Sequence, residues 1–134
     1  MKAAEKQITI KDTTPEDLYV YADAAHFDFI VRNLLANALK YTYPKGLIEI
    51  NADKKMKPGF TVFSVKDNGV GIPKDVLPKI FTALKSGEGT ANEKGNGIGL
   101  MLCKEFAMKN GGDIWVESEE GKGATFSFSV KNAD

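Results

Sequence analysis

The spacing of hydrophobic and polar positions changes period several times along the chain, and each change marks an element. Ile8 and Ile10 alternate with Gln7, Thr9 and Lys11, the period of a strand with one buried face. Leu18 to Tyr21 reads as a second strand, and Thr13-Thr14-Pro15 supplies the connection. From about Ala24 to Tyr41 the period becomes helical. Phe27, Ile30, Val31, Leu34, Leu35, Ala38 and Leu39 form one apolar stripe, with Asp23 placed to cap it. Pro44 and Gly46 end that segment. Alternation returns over Leu47–Asn51 and Phe60–Val65, joined by a turn around Pro58-Gly59. A short helix is predicted from about Lys74 to Phe81, and the polar, non-periodic stretch from Lys85 to Asn96 reads as a mobile loop. Ile98 to Asn110 is helical again, turning Leu102, Cys103 and Phe106 inward and closing at Gly111-Gly112. Strands over Asp113–Ser118 and Ala124–Val130 flank the turn Glu119 to Gly123. The order β-β-α-β-β-α-loop-α-β-β predicts an α+β fold, a two-layer sandwich with a mixed, largely antiparallel sheet on about three helices.

Composition narrows the function classes. A chain of 134 residues makes one domain, residues 1–134, large enough to bury a core. Its 18 lysines and arginines balance 18 aspartates and glutamates, so nothing global favours nucleic acid or direct contact with an anionic membrane. The single cysteine, Cys103, allows no internal disulfide and fits a reducing compartment. No apolar run approaches the roughly 20 residues of a membrane helix, and the opening Met1-Lys2-Ala3-Ala4-Glu5-Lys6 lacks the apolar stretch of a signal peptide. The expectation is a soluble, cytoplasmic domain, one that can be a piece of a longer protein.

Three patches carry candidate chemistry. In Asn33-Leu34-Leu35-Ala36-Asn37-Ala38-Leu39-Lys40-Tyr41, the spacing puts Asn33, Asn37, Lys40 and Tyr41 on one side of the first helix. An amide oxygen suits Mg²⁺, which takes hard oxygen ligands, without repelling phosphates, and a lysine one turn on can meet phosphate charge. A solvated helix face accounts for these four residues equally well. Asp67-Asn68-Gly69-Val70-Gly71 follows a strand, and a carboxylate there is a good acceptor for an adenine amine, with glycines allowing close approach of a flat ring. A plain Asp-Asn-Gly turn is the competing reading. Gly95-Asn96-Gly97-Ile98-Gly99-Leu100 opens the last helix, where backbone amides and the helix N-terminus make an anion site; a flexible linker is the alternative. The dinucleotide fingerprint fails, because a polar loop and not a strand precedes these glycines, and no Gly-Lys-Ser/Thr follows for a Walker loop.

Taken together, the three patches closely resemble the catalytic, ATP-binding (Bergerat) domain of two-component sensor histidine kinases, within the wider family of gyrase, Hsp90 and MutL-type ATP-binding folds. Asn33 to Tyr41 resembles the N box, Asp67 to Gly71 the G1 box, Ile80-Phe81 the start of the F box, and Gly95 to Leu100 the G2 box. Gly111 to Ser118 and Gly121-Lys122-Gly123 match the family's usual ending. The resemblance implies ATP and Mg²⁺ as cofactors. It implies Asn37 as the metal ligand, Asn33 in support of metal or phosphate, Lys40 on phosphate and Tyr41 beside the adenine. Asp67 would bind the adenine amine, with Gly69, Gly71 and Ile72 around it. Gly95, Gly97, Ile98, Gly99 and Leu100 would wrap the phosphates, under a lid over about residues 82–96. Implied partners are the histidine-bearing dimerisation domain of the parent kinase and a response-regulator receiver domain.

One position separates branches of this family. Hydrolysing relatives carry a glutamate where this chain has Asn33, and an amide cannot act as a base near neutral pH. The resemblance therefore implies phosphoryl transfer to an external histidine, catalysed by Asn33, Asn37 and Lys40 through positioning and charge. His26 lacks the flanking pattern of that acceptor and is expected to be a surface or packing residue. Two departures stand out: Leu84 where the family has a second phenylalanine, and Ala124 where it often has Ser or Thr to hold an adenine-linked water. Strand alternation turns Thr125 away from that place. A self-contained ATPase of the same fold, an anti-sigma-type serine kinase and a docking module without catalysis are the competing readings.

Overall fold

The computed structural model describes residues 6–15, 18–82 and 98–133. Among the described residues six strands form one mixed sheet: β1 (Thr9–Asp12), β2 (Val20–Tyr21), β3 (Leu47–Lys57), β4 (Phe60–Asp67), β5 (Ile114–Glu119) and β6 (Gly123–Asn132). The order is β1-β3-β4-β6, with β2 and β5 both paired to β6. Only β1 and β3 run parallel; the other pairings are antiparallel. Two α-helices, α1 (Ala24–Tyr41) and α2 (Gly99–Lys109), pack on the sheet. This is the expected α+β sandwich.

Register decides what the helices cover. Rows of paired residues share a face, and Ala52–Phe63–Phe128–Ile114 and Ile50–Val65–Phe126–Val116 are two such rows. They meet Ile30, Leu34 and Ala38 of α1 and Cys103 and Ala107 of α2 in one core. Phe27 anchors it, edge-on to Phe63 at 5.0 Å and to Phe128 at 5.6 Å. Continuing the same face by two residues gives the row Ile48–Asp67–Ala124–Ser118. An apolar layer thus ends in a carboxylate and a hydroxyl.

Helix α1 begins and ends where its residues dictate. Asp23 caps it by accepting from the His26 amide at 3.0 Å, as its position predicts. Asn110 ties this end to the close of α2: its Oδ1 accepts from the Asp23 amide at 2.8 Å, and its Nδ2 donates to the Phe106 carbonyl at 2.8 Å. At the far end the last carbonyls have no partners within the helix. Ala38 O receives the Thr42 amide at 3.0 Å and the Thr42 hydroxyl at 2.6 Å. The ammonium of Lys6, itself 6% exposed, donates to Leu39 O at 2.8 Å, Lys40 O at 3.1 Å and Thr42 O at 3.2 Å. Tyr41 O accepts from the Val70 amide at 3.1 Å. A cation here also opposes the negative end of the helix dipole.

Some elements differ from the sequence expectation. In place of a helix over Lys74–Phe81 there is a single 3-10 turn, Leu77–Lys79. Pro78 has no amide to donate back to Lys74, and beyond the single four-residue bond from Leu77 N to Pro73 O at 3.1 Å the bonds of this segment reach three residues, as from Lys79 N to Val76 O at 2.9 Å. Among the described residues two α-helices therefore carry the layer expected of about three. Strand β3 runs to Lys57, six residues past the expected Asn51, because its lysine-rich arm pairs with β4 through Asp53–Val62 and Lys57–Phe60. The loop expected over Lys85–Asn96 lies outside the described residues. No described helix is long and apolar enough to cross a membrane.

Leu34 is fully buried at the centre of the α1 stripe. Leu34→Ala should cost about 2–5 kcal/mol in urea unfolding. Asp28→Ala, which removes the exposed 2.8 Å pair with Arg32, should cost under about 0.5 kcal/mol.

Candidate active site

The end of α1, the loop after β4 and the β5–β6 turn converge on Asp67. Asp67 is 5% exposed, its Oδ1 accepts the Gly69 amide at 2.9 Å, and Ala124 is its ladder partner on β6. No cation pairs with it among the described residues. Burial holds its pKa above the ordinary 3.8, against the lowering effect of the Gly69 and Ala124 amides. A carboxylate in this setting gains from any further donor.

The loop from Asn68 to Ile72 is clamped on both sides by backbone. Val70 N bonds Tyr41 O on α1, and Val70 O accepts from Gly121 N at 2.7 Å in the β5–β6 turn. A Cβ on Gly69 would run into the Tyr41 carbonyl, and one on Gly71, whose φ is +71°, into the Glu119 carbonyl. The close approach these glycines allow is thus first of all an approach of one protein backbone to another. Asn68 extends the clamp to β3, its Oδ1 accepting from Leu47 N at 2.9 Å. Ser118 completes it, accepting from the Ile72 amide at 2.9 Å and donating to Gly123 O at 2.8 Å.

Asn33, Asn37 and Lys40 share one side of α1. Asn33 donates through Nδ2 to Phe29 O at 2.9 Å, which leaves its Oδ1 free to face α2, where a Cβ on Gly99 would strike it. The N-terminus of α2 therefore sits directly against the first candidate patch. Asn37 is half-buried and its amide makes no hydrogen bond among the described residues. Lys40 is buried to 9% exposure, with its ammonium 5.1 Å from the centre of the Tyr41 ring. Ile72 and Leu100 are partly buried against the core, whereas Ile98 is exposed. Gly95, Gly97, Leu84 and all of the expected lid except Thr82 lie outside the described residues. Phe81 stands edge-on to Phe126 at 6.1 Å, under the Lys104 ammonium at 5.7 Å.

Residues outside the three patches have plain structural roles. His26 stacks on Phe106 at 4.2 Å, and its Nδ1 meets the Asn110 amide at 3.1 Å, so it is a packing residue. Burial pushes the Cys103 thiol up to about 12, leaving it unreactive. Ala124 pairs with Asp67 on the core face, while Thr125 pairs with Lys66 on the other, as alternation predicts. Sequence reasoning missed Lys6 and Ser118. Ser118 had a readable signal, a hydroxyl two residues after Val116 and four after Ile114 on the same core face; Lys6 had none.

Asp67 also makes a pH signature. With its folded-state pKa raised, the folded chain holds the proton more tightly than the unfolded chain does. Its stabilising contribution is complete below the ordinary 3.8 and is lost as pH rises through the raised value. In urea unfolding, the stability of the wild type minus that of Asp67→Asn should fall between acid and neutral pH. A difference that stays flat or rises would contradict this assignment.

Known proteins with this arrangement form a consistent set. The family model described as "Histidine kinase-, DNA gyrase B-, and HSP90-like ATPase" matches residues 22–134. The sensor histidine kinase WalK of Bacillus subtilis is 36% identical over 123 residues, covering 90% of this chain and 20% of WalK. The adaptive-response sensory kinase SasA of Synechococcus elongatus is 39% identical over 126 residues, covering 93% of this chain and 32% of SasA. The chain thus spans between a fifth and a third of these two relatives. Among solved structures, the catalytic domain of histidine kinase ThkA superposes with a TM-score of 0.82 at 29% identity, covering 98% of this chain and 84% of that one. Full-length ShkA in complex with AMPPNP gives 0.82 at 30% identity, covering 98% and 27%. With the family model spanning all of α1, the Asp67 loop and α2, the chain belongs to the histidine kinase-, DNA gyrase B- and HSP90-like ATPase family, a membership that implies ATP binding.

Proposed function

We propose that this chain is the phosphoryl-donor domain of a two-component sensor histidine kinase. It holds Mg·ATP and presents the γ-phosphoryl group to a histidine on a separate dimerisation domain; a response-regulator receiver domain then takes the phosphoryl group from that histidine. The observation that carries the reading is the buried Asp67 carboxylate, which ends an apolar row and, among the described residues, accepts a hydrogen bond from the Gly69 amide. An adenine amine is the kind of donor that such a site lacks. The working unit is residues 1–134, acting in the cytoplasm, with the lid over about residues 82–96.

The chain's other residues suit the rest of the ligand. Asn37 offers an unengaged amide oxygen for the metal. No cluster of three His, Cys, Asp or Glu able to hold a metal exists among the described residues, so the remaining ligands would be water and phosphate oxygens, as Mg²⁺ accepts. The metal would neutralise phosphate charge. Lys40 lies one turn from Asn37 for phosphate contact, Tyr41 flanks the adenine, and Gly99 with the N-terminus of α2 offers amides to the phosphates. Asn33, held by Phe29 O, orients beside them and cannot take a proton from water. Transfer then breaks the γ-phosphorus bond to the bridging oxygen, forms a bond to an imidazole nitrogen and leaves ADP.

Calorimetric titration should detect binding of Mg·ATP and of ADP, with Asp67→Ala weakening both by about 100-fold through the lost amine contact. Asn37→Ala should weaken binding of Mg·ATP more than binding of metal-free ADP. Incubation of the chain alone with γ-labelled ATP should leave it unlabelled and release little phosphate. Steady phosphate release that Asn37→Asp abolishes would favour the ATPase reading, stable label on His26 would overturn the donor assignment, and no binding at all would leave only a docking module.

A further inference from the structure

Lys6 lies far from the three patches in sequence and close to them in space. Its ammonium is buried at the end of α1, each of its protons directed at a carbonyl: Leu39 O at 2.8 Å, Lys40 O at 3.1 Å and Thr42 O at 3.2 Å. Its own carbonyl accepts from Lys45 N at 2.8 Å, which fastens the segment before β1 to the chain leaving α1. Desolvating an ammonium is costly, and three charge-assisted bonds to oriented carbonyls offset that cost only while the helix end keeps this shape. The carbonyls so held, those of Leu39, Lys40 and Thr42, bracket Tyr41 at the edge of the proposed nucleotide site. Lys40 and Tyr41 belong to it directly, and Tyr41 O carries the Val70 amide and the close approach of Gly69. Gly69 in turn donates to Asp67.

We infer that Lys6 is a positioning residue of the nucleotide site: through the last turn of α1 it sets the Tyr41 carbonyl, and through that carbonyl the Gly69-Val70 loop beneath Asp67. The segment entering the domain therefore bears on ATP affinity. The inference rests on the nucleotide-binding reading above. A helix end that relaxes without its cap moves Lys40, Tyr41 and the loop together, whereas the rows of the sheet keep their register.

Lys6→Met keeps the length of the side chain and removes its charge. Measured where both proteins are fully folded, it should weaken ADP binding by about fivefold or more. It should also speed amide exchange at Val70 by about tenfold relative to Phe63 in the centre of β4. Lys6→Arg should recover part of both. A lowered melting temperature with ADP affinity unchanged, and with Val70 and Phe63 affected alike, would overturn the inference and leave Lys6 a stabilising cap only. If Lys6→Met does not fold, the wild type decides: the Lys6 ammonium resonance should shift on saturation with ADP, and its failure to shift would overturn the inference. Failure of the wild type to bind ADP would overturn the functional reading instead, and the exchange measurement would still report whether Lys6 governs the loop.

Discussion

The end of helix α1 is the constraint on which the rest of this molecule depends. Four carbonyls there lack helical partners, and the fold satisfies them from three directions: Thr42 on Ala38, Lys6 on Leu39 and Lys40, and Val70 on Tyr41. No left-handed glycine closes this helix; Thr42 leaves it extended. The closure is therefore tertiary, and it draws the segment before β1 and the loop after β4 to one point. Because Tyr41 O holds that loop, the carboxylate at the end of β4 and the amides along α1 have a fixed relation to each other.

On this frame the chemistry is set by a few polar residues at the edges of apolar surfaces. Asp67 and Ser118 end a core-face row, one meeting the loop through Gly69 and the other through Ile72. Asn33 occupies the seam between α1 and α2, anchored by one end of its amide and facing Gly99 with the other. An amide at that seam has hydrogen-bonding capacity without basicity, in keeping with the proposed donor role, in which ATP is spared from water.

Much of this was legible in the sequence, for reasons that can be named. Helix α1 was readable to the residue because an aspartate cap, a helical stripe and a downstream Pro-Lys-Gly turn agree. The core face of β4 was readable because Phe63, Val65 and Asp67 alternate, which places the carboxylate on the helix side. The long arm of β3 was not, because Lys54, Lys55, Met56 and Lys57 are exposed and the arm is held by the Asp53–Val62 and Lys57–Phe60 pairs rather than by burial. The short helix after Gly71 was over-read, because composition favours helix while Pro78 denies it a donor. Lys6 was illegible: a lysine before a strand looks solvated, and only the folded chain brings it to carbonyls more than thirty residues away. The tightness of Gly69 against Tyr41 depends in the same way on a long-range approach that no local pattern records.

The most direct test of this account is a crystal structure of the chain with Mg²⁺ and a non-hydrolysable ATP analogue. The adenine amine should lie within hydrogen-bond reach of Asp67 and the metal on the Asn37 amide oxygen, with no protein carboxylate positioned against the γ-phosphate. An adenine bound away from Asp67, or a metal held without Asn37, would contradict it.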